Sequence, residues 1–239
     1  MKEILFSSLL GAGAALPLLV GAWIALRWKA PDWVVGYVSA FGAGALISAI
    51  AYELVQDASE HADAGILAGA LAAGAVTYFA GSRFLQSRGK AGGKSARGLA
   101  LLMGAALDGI PEAFILGTSV IAGAGISFPF LVAVVVSNFP EGMASGAELK
   151  GNPNYTMKHI LGMWAIVVCL SAVAAALGAF AGERFSQGRP LSQAFAAGAL
   201  LTMLTDDLIP ESRERAGLGA GLAATLGFAV AFALHQLGE

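Results

Sequence analysis

The segment FGAGALISAIAYELVQDA, residues 41–58, decides the architecture of this chain, because it recurs as FAAGALLTMLTDDLIPES at residues 195–212. The gapless alignment pairs Phe with Phe and Ala-Gly-Ala-Leu with itself, and it also matches acidic residues. Small apolar residues often coincide by chance in such a sequence, whereas matched acids are harder to explain that way. The match therefore indicates an internal repeat, with the following acid pairs: Glu53 with Asp207, and Asp57 with Glu211.

The composition places this repeat in a membrane. The 239 residues are 57% hydrophobic and 13% charged and have a mean hydropathy of +0.72, whereas ordinary soluble domains are about 25% charged. The 32 glycines are typical of transmembrane helices that approach closely through small side chains. The net charge of -2 and the lack of zinc-finger, P-loop and dinucleotide motifs argue against nucleic acid as a partner and against a bound cofactor.

Polar residues divide the chain into eight segments of the length that a membrane span requires, about 20 mostly apolar residues. Their approximate bounds are 4–26, 33–56, 63–85, 98–122, 127–149, 158–181, 191–212 and 215–237. The connections are short, so we expect one all-α transmembrane domain over residues 1–239. The longest connection, residues 86–97, is Gly-rich and basic and is predicted to be a flexible loop.

The distribution of positive charge predicts the orientation. Eleven of the 14 Lys and Arg residues lie in the first, third, fifth and seventh connections, which the positive-inside rule assigns to the cytoplasm. Both termini are then extracytoplasmic, in a multi-pass protein of the cell (inner or plasma) membrane. The repeated segments become helices 2 and 7, which cross the bilayer in opposite directions. This is typical of an inverted repeat, with helices 1–3 mirrored by helices 6–8 around central helices 4 and 5.

The two central helices carry acidic turns in the middle of apolar runs: Asp108-Gly109-Ile110-Pro111-Glu112 and Ser137-Asn138-Phe139-Pro140-Glu141-Gly142. Residues three or four apart share one face of a helix, so each turn presents its polar groups together. An ionisable group at mid-membrane costs about 2.5–3.5 kcal/mol and is usually retained for function. The prolines also free backbone carbonyls near positions 107 and 136.

Together these turns predict an oxygen-rich cage for a divalent cation. Its ligands are the carboxylates of Asp108, Glu112 and Glu141, the amide oxygen of Asn138 and the hydroxyl of Ser137. In the alternative interpretation the acids are protonated, hydrogen-bond across helices and serve only the structure.

The acids at the ends of helices 2 and 7 have two interpretations. They are either the entrance and exit carboxylates of an ion path or ordinary solvated helix ends. The residues are Glu53, Asp57, Asp207 and Glu211. Asp57, Glu60 and His61 have the spacing to capture a metal from one helix face. His159 and His235, near the ends of spans, are interpreted as interfacial side chains.

The chain resembles the ZIP (Zrt/Irt-like) family of divalent metal transporters in three features. These are the Pro-Glu-Gly/Ala turns in the fourth and fifth of eight helices, the extracytoplasmic termini, and the basic connection between helices 3 and 4. The resemblance implies a midplane metal site and transport toward the cytoplasm, with helices 1, 4, 5 and 6 rocking against helices 2, 3, 7 and 8. It implies a transporter and not an enzyme, and it leaves open whether the chain forms a homodimer.

The sequence departs from the motifs typical of that family, H-N-x-P-E-G/A in helix 4 and H-N/D/E-x-P-E-G in helix 5. Asp108 and Ser137 stand where the two histidines are expected, and Gly109 stands where the first Asn is expected. Helix 6 lacks the Glu-Pro pair on which a second metal position depends. We therefore expect one metal, and oxygen ligands suit Mn, Mg, Ca or Fe(II) better than zinc, although the affinity order still favours zinc over manganese.

Two alternative functions compete with transport. A non-transporting metal sensor or pseudo-transporter of the same fold would explain the missing histidines. An intramembrane protease would pair Asp108 with Asp206 or Asp207, but those two lie near a helix end whereas Asp108 is central, and no Gly-x-Gly-Asp pattern is present.

Overall fold

The computed structural model describes residues 2–28, 30–91, 93–121, 127–150, 155–184 and 188–238, and within these ranges it contains helices and no strand. The side chains of some helical residues, including 88–103 and Asp108, lie outside the described part. The helices are α1 Lys2–Arg27, α2 Asp32–Ala49, α3 Ala64–Ala91, α4 Gly93–Ile121, α5 Phe128–Lys150, α6 Met157–Arg184, α7 Arg189–Met203 and α8 Ala220–Gly238.

Two of these helices continue beyond their α-helical part through a π-helical segment. Helix α2 continues through Ile50–Gln56 to a last turn at Asp57–Ser59, and α7 continues through Leu204–Leu208 into Ile209–Ala216. The labels α2 and α7 include these continuations.

Among the described residues, six segments are long and apolar enough to cross a membrane. The all-helical membrane class predicted from composition is confirmed. One prediction is wrong: the segment 86–97 is helical up to Ala91 and again from Gly93, not a loop. Its Gln, Arg, Lys, Ala and Ser residues are compatible with a helix, and the glycines cost only about 1 kcal/mol each.

The last of the six segments, Arg189–Leu237, contains 49 residues and folds back on itself. A single straight helix of that length would be about 74 Å long, far more than a hydrocarbon core of about 30 Å. The reversal occurs at Gly217, whose φ of 68° is readily adopted only by glycine. Both ends of the segment reach the same residue, because Gln193 and His235 each bond to Glu53.

Contacts along α2 give the directions of the two halves. Helix α7 begins beside Asp57 and brings Ala216 against Gly36, so it runs antiparallel to α2. Helix α8 passes from Gly219 at Tyr37 to His235 at Glu53, so it runs parallel to α2.

The same packing pattern occurs twice in the molecule. Helix α8 packs on α2 and α3 packs on α7, while α1 packs on α5 and α6 packs on α4. Gly44 of α2 lies against the backbone of Ala224, and Gly198 of α7, its match in the sequence repeat, lies against the backbone of Leu71. Small residues permit such close approach, which favours helix association in lipid.

The π-helical segments also match. They begin at Ile50 and at Leu204, which the sequence repeat aligns with each other. Each carries an acid at the same distance from its start, Glu53 and Asp207. Because π-helical turns occur frequently at functional sites, both ends of the bundle contain a candidate functional position.

The main core lies where α2, α4, α5 and α7 meet. Its fully buried members include Leu46, Ile50, Leu116, Phe130, Val134, Leu200 and Leu204. Leu116 of α4 and Phe130 and Val134 of α5 belong to this same core. Leu116 is about one helical turn from Glu112 along α4, and Val134 is about one turn from Asn138 along α5.

Candidate functional site

Helix α5 contributes two buried polar residues in its middle. Ser137 is 3% and Asn138 is 4% exposed. The Nδ2 group of Asn138 donates to the carbonyl of Ala14 on α1 at 2.9 Å, and the hydroxyl of Ser137 donates to the carbonyl of Val134 at 3.0 Å. These bonds hold both side chains in place; they use the only hydroxyl proton of Ser137 and one of the two amide protons of Asn138. Each group also carries oxygen lone pairs, which are what a cation requires.

Close helix packing holds this part of α5 in place. Gly42 of α2 lies against the backbone of Ser137. On the other side, Gly21 of α1 lies against the carbonyl of Phe139, and Gly142 lies against the carbonyl of Leu18. A helix clamped by two neighbours at these glycines cannot rotate freely, so its polar face keeps a defined direction.

Glu141 follows one turn after Asn138 and is partly buried. Its backbone carbonyl accepts a hydrogen bond from the hydroxyl of Ser145 at 2.6 Å. Pro140 lies inside the helix and has no N–H, so the carbonyl of Val136 cannot receive the usual helical hydrogen bond from position 140.

On α4, Glu112 is only 2% exposed. The neighbouring face of α4 packs on α6, with Gly109 beside the hydroxyl of Ser171 and Ala113 against Ala174 and Ala175. A carboxylate this deeply buried is expensive in hydrocarbon, and such residues mark ion pathways or proton relays.

Three of the predicted cage residues are nearly fully buried, Glu112 on α4 and Ser137 and Asn138 on α5. That they meet at one site stays a prediction. The side chain of Asp108 is outside the described residues, so its relation to the other ligands stays a prediction. Among the described side chains there is no group of three or more His, Cys, Asp or Glu arranged to hold a metal.

The predicted acids at the end of α2 are both hydrogen-bonded. Glu53 accepts from the hydroxyl of Ser127 at 2.7 Å and contacts Nδ1 of His235 at 2.7 Å. Asp57 accepts from the guanidinium of Arg189 at 2.8 Å and from the amide of Gln193 at 2.7 Å. These two acids therefore link α2 to α5, α7 and α8.

The matching acids on α7 are held differently. Asp207 accepts from the phenol of Tyr78 on α3 at 2.8 Å. Glu211 pairs with Arg215 one turn later at 2.9 Å, and Arg215 reaches Asp32 at 3.4 Å. The π-helical acid at each end of the bundle is thus bonded by the neighbouring helix, His235 of α8 for Glu53 and Tyr78 of α3 for Asp207.

His235, interpreted from the sequence only as an interfacial side chain, is a member of this cluster that sequence reasoning missed. Its side chain is only 13% exposed and its ring stacks on Tyr52, whereas His159 is exposed. The available signal was an isolated imidazole in the otherwise apolar run 220–237.

A cavity of about 250 Å³ lies at this end of the bundle. Its lining includes Glu53, Asp57, Glu60, Ile115, Thr118, Ser127, Phe130, Arg189, Gln193 and His235.

Comparison with known proteins gives one informative relative. No family model matches the chain. The chain is 28% identical over 219 residues, 87% of its length, to a protein of Arabidopsis thaliana described as a "putative zinc transporter", and it spans about a third, 35%, of that protein. This similarity confirms the resemblance of the chain to the ZIP family of divalent metal transporters.

Proposed function

We propose that the chain carries a divalent metal cation across the membrane toward the cytoplasm by alternating access, as a ZIP-like transporter. The observation that carries the proposal is the deep burial of polar side chains in the middle of both central helices, Glu112 in α4 and Asn138 in α5. Polar groups at that depth are costly, and a transported cation gives them a role. The similarity to a protein described as a zinc transporter supports the same class of function.

In this proposal the cargo binds to Asp108, Glu112 and Glu141, with the amide oxygen of Asn138 and the hydroxyl of Ser137. The donor set is rich in oxygen, which suits Mn²⁺ and Fe²⁺, while Zn²⁺ binds such sites more tightly than Mn²⁺ in the general affinity order. Zinc, manganese and ferrous iron are therefore the candidate cargoes. No cofactor is required.

The doubled packing pattern supports the 3+2+3 inverted repeat. Exchanging α1 with α6, α2 with α7, α3 with α8 and α4 with α5 maps the main helix contacts onto one another. Transporters built this way bind cargo at the interface of the repeats and rock one part against the other. With most basic connections in the cytoplasm, both termini are extracytoplasmic in a single domain of eight spans.

Uptake of Zn²⁺, Mn²⁺, Fe²⁺ and Cd²⁺ into proteoliposomes tests the proposal. We expect wild-type flux to fall to background in Glu112→Gln and in Glu141→Gln, because each change removes a carboxylate charge at nearly constant volume. Glu214→Gln is the matched control, since Glu214 is an exposed carboxylate at the end of α7. Metal flux that persists in both variants would refute the proposal that the cargo binds at Glu112 and Glu141.

A metal sensor of the same fold is the second candidate, because both motif histidines are missing. It predicts tight metal binding without flux in the same preparations. The protease alternative is weakened because Asp207 is bonded to Tyr78 of α3 and thus faces a helix other than α4.

A further inference from the structure

The cavity between the ends of α2, α5, α7 and α8 contains more than the acids predicted from the sequence. The carboxylates of Glu53, Asp57 and Glu60 line it together with one guanidinium, that of Arg189. Acidic groups outnumber basic ones, and low-dielectric walls concentrate the resulting field, so the cavity attracts cations.

Within the cavity the two acids of α2 differ in their partners. Asp57 is neutralised by Arg189 at 2.8 Å and is further bonded by Gln193. Among the described residues, the carboxylate of Glu53 contacts the Ser127 hydroxyl and the His235 ring and no guanidinium or ammonium group. Its negative charge, together with that of Glu60, therefore acts on an arriving cation.

The contact between Glu53 and His235 is the arrangement that prepares a histidine for metal binding. A metal-ligating imidazole commonly donates its other ring N–H to a carboxylate, which fixes the tautomer and raises the basicity of the ligating nitrogen. Here Nδ1 of His235 lies 2.7 Å from Oε1 of Glu53, which is the contact that this arrangement requires. The hydroxyl of Ser127 orients the second carboxylate oxygen, and Tyr52 stacks on the ring.

We propose that this cavity is a capture site for a divalent transition-metal ion, with the imidazole of His235 as its nitrogen ligand and Glu53 as the carboxylate that positions it. The side chains of Glu53 and His235 are 16% and 13% exposed, so an ion held there is partly desolvated. Water completes the coordination in a space of about 250 Å³. The imidazole supplies the nitrogen donor that the central motifs lack.

The position of the cavity explains what capture achieves. Ile115 and Phe130 line its inner end and are both nearly fully buried. Ile115 is three residues, less than one turn, from Glu112. The cavity wall at Ile115 is therefore within about one helical turn of Glu112 along α4, and the proposed orientation makes this side extracytoplasmic.

This inference rests on the proposed transport function, and the test separates the two. In proteoliposomes, His235→Gln keeps an N–H donor for Glu53 but removes the imidazole lone pair. We expect the half-saturating Zn²⁺ concentration to rise about tenfold or more while the maximal rate stays near that of the wild type. For Mn²⁺, which depends less on nitrogen ligands, the rise is smaller.

Three further variants make the result specific. His159→Gln is the matched control, because His159 is exposed and its ring contacts the hydroxyl of Thr156. We expect it to leave the Zn²⁺ dependence unchanged. His235→Cys, which returns a zinc-binding side chain, recovers affinity that a purely structural role would not. Glu53→Gln, which weakens the positioning carboxylate, raises the half-saturating Zn²⁺ concentration less than His235→Gln does.

Direct binding distinguishes the possible failures. Equilibrium dialysis of Zn²⁺ uses protein that carries Glu112→Gln and Glu141→Gln, with and without His235→Gln. Zinc binding that depends on His235 supports the capture site even if the wild type shows no uptake, in which case only the transport proposal fails. Normal uptake with an unchanged Zn²⁺ dependence in His235→Gln overturns the capture site and leaves the transport proposal intact.

Discussion

The doubled packing pattern makes a quantitative prediction about Gly44 and Gly198. A Cβ atom at Gly44 would lie 2.6 Å from the carbonyl carbon and 2.9 Å from Cα of Ala224; at Gly198 it would lie 2.8 Å from the carbonyl carbon of Leu71 and 3.1 Å from N of Ala75. Carbon atoms pack at about 3.5–4.0 Å, so each alanine must push two helices apart by about 1 Å.

A gap of that size forfeits roughly a quarter to a half of the attraction between the atoms that face it. Overpacked sites typically lose about 1–3 kcal/mol, and alanine gains up to about 1 kcal/mol of helix propensity over glycine. Gly69→Ala in α3 isolates the steric part, because Gly69 has open space around it and gains the same propensity. We therefore expect Gly44→Ala and Gly198→Ala each to be about 1–3 kcal/mol less stable than Gly69→Ala.

Equilibrium unfolding in mixed micelles with increasing SDS, followed by tryptophan fluorescence, measures these differences. Equal losses at Gly44 and Gly198 are the result that the repeated packing requires. If both variants are as stable as Gly69→Ala, the close helix contacts at Gly44 and Gly198 do not exist in the folded protein in micelles. If only one of the two is destabilised, the two helix pairs are not equivalent and the argument for the inverted repeat loses its structural support.

Two other predictions concern single hydrogen bonds. Tyr78→Phe removes the donor to Asp207 and should lower stability by about 0.6–1.7 kcal/mol, the range for interhelical bonds in membranes, in the same unfolding assay; an unchanged midpoint would show that the bond contributes nothing. Asn138→Asp keeps the size of the side chain but replaces the N–H donor with an acceptor facing the carbonyl of Ala14. It should reduce both stability and metal uptake, whereas Asn152→Asp, in a predicted connection, should change neither; full activity in Asn138→Asp would remove Asn138 from the site.

The class of the protein was predictable because it depends on averages along the chain. Long apolar segments of about 20 residues have few stable arrangements other than membrane helices. The buried positions of Glu112 and Asn138 follow the same logic, since they lie in the middle of such segments. The segment 86–97 was mispredicted because glycine and charge counts describe average flexibility, while two long helices on either side extend through most of it.

The side-chain partners were not predictable from the sequence. Glu53 meets His235 across 182 positions of sequence, and Tyr78 meets Asp207 across 129. Such contacts depend on the rotation of each helix about its axis and on how closely two helices approach. A shift of one residue around a helix turns a side chain by about 100°, which is enough to remove either bond.

The sequence by itself determined that this is a helical membrane protein with an internal repeat and with acids at mid-span, because hydropathy and spacing are properties of the chain alone. Only the tertiary structure decided that the repeated segments both become π-helical at Ile50 and at Leu204, that their acids are bonded by a neighbouring helix, and that an imidazole lies beside Glu53. The physical reason is that these features arise where separate helices meet, and glycine contacts such as that between Gly44 and Ala224 set the distance and angle at which they do so.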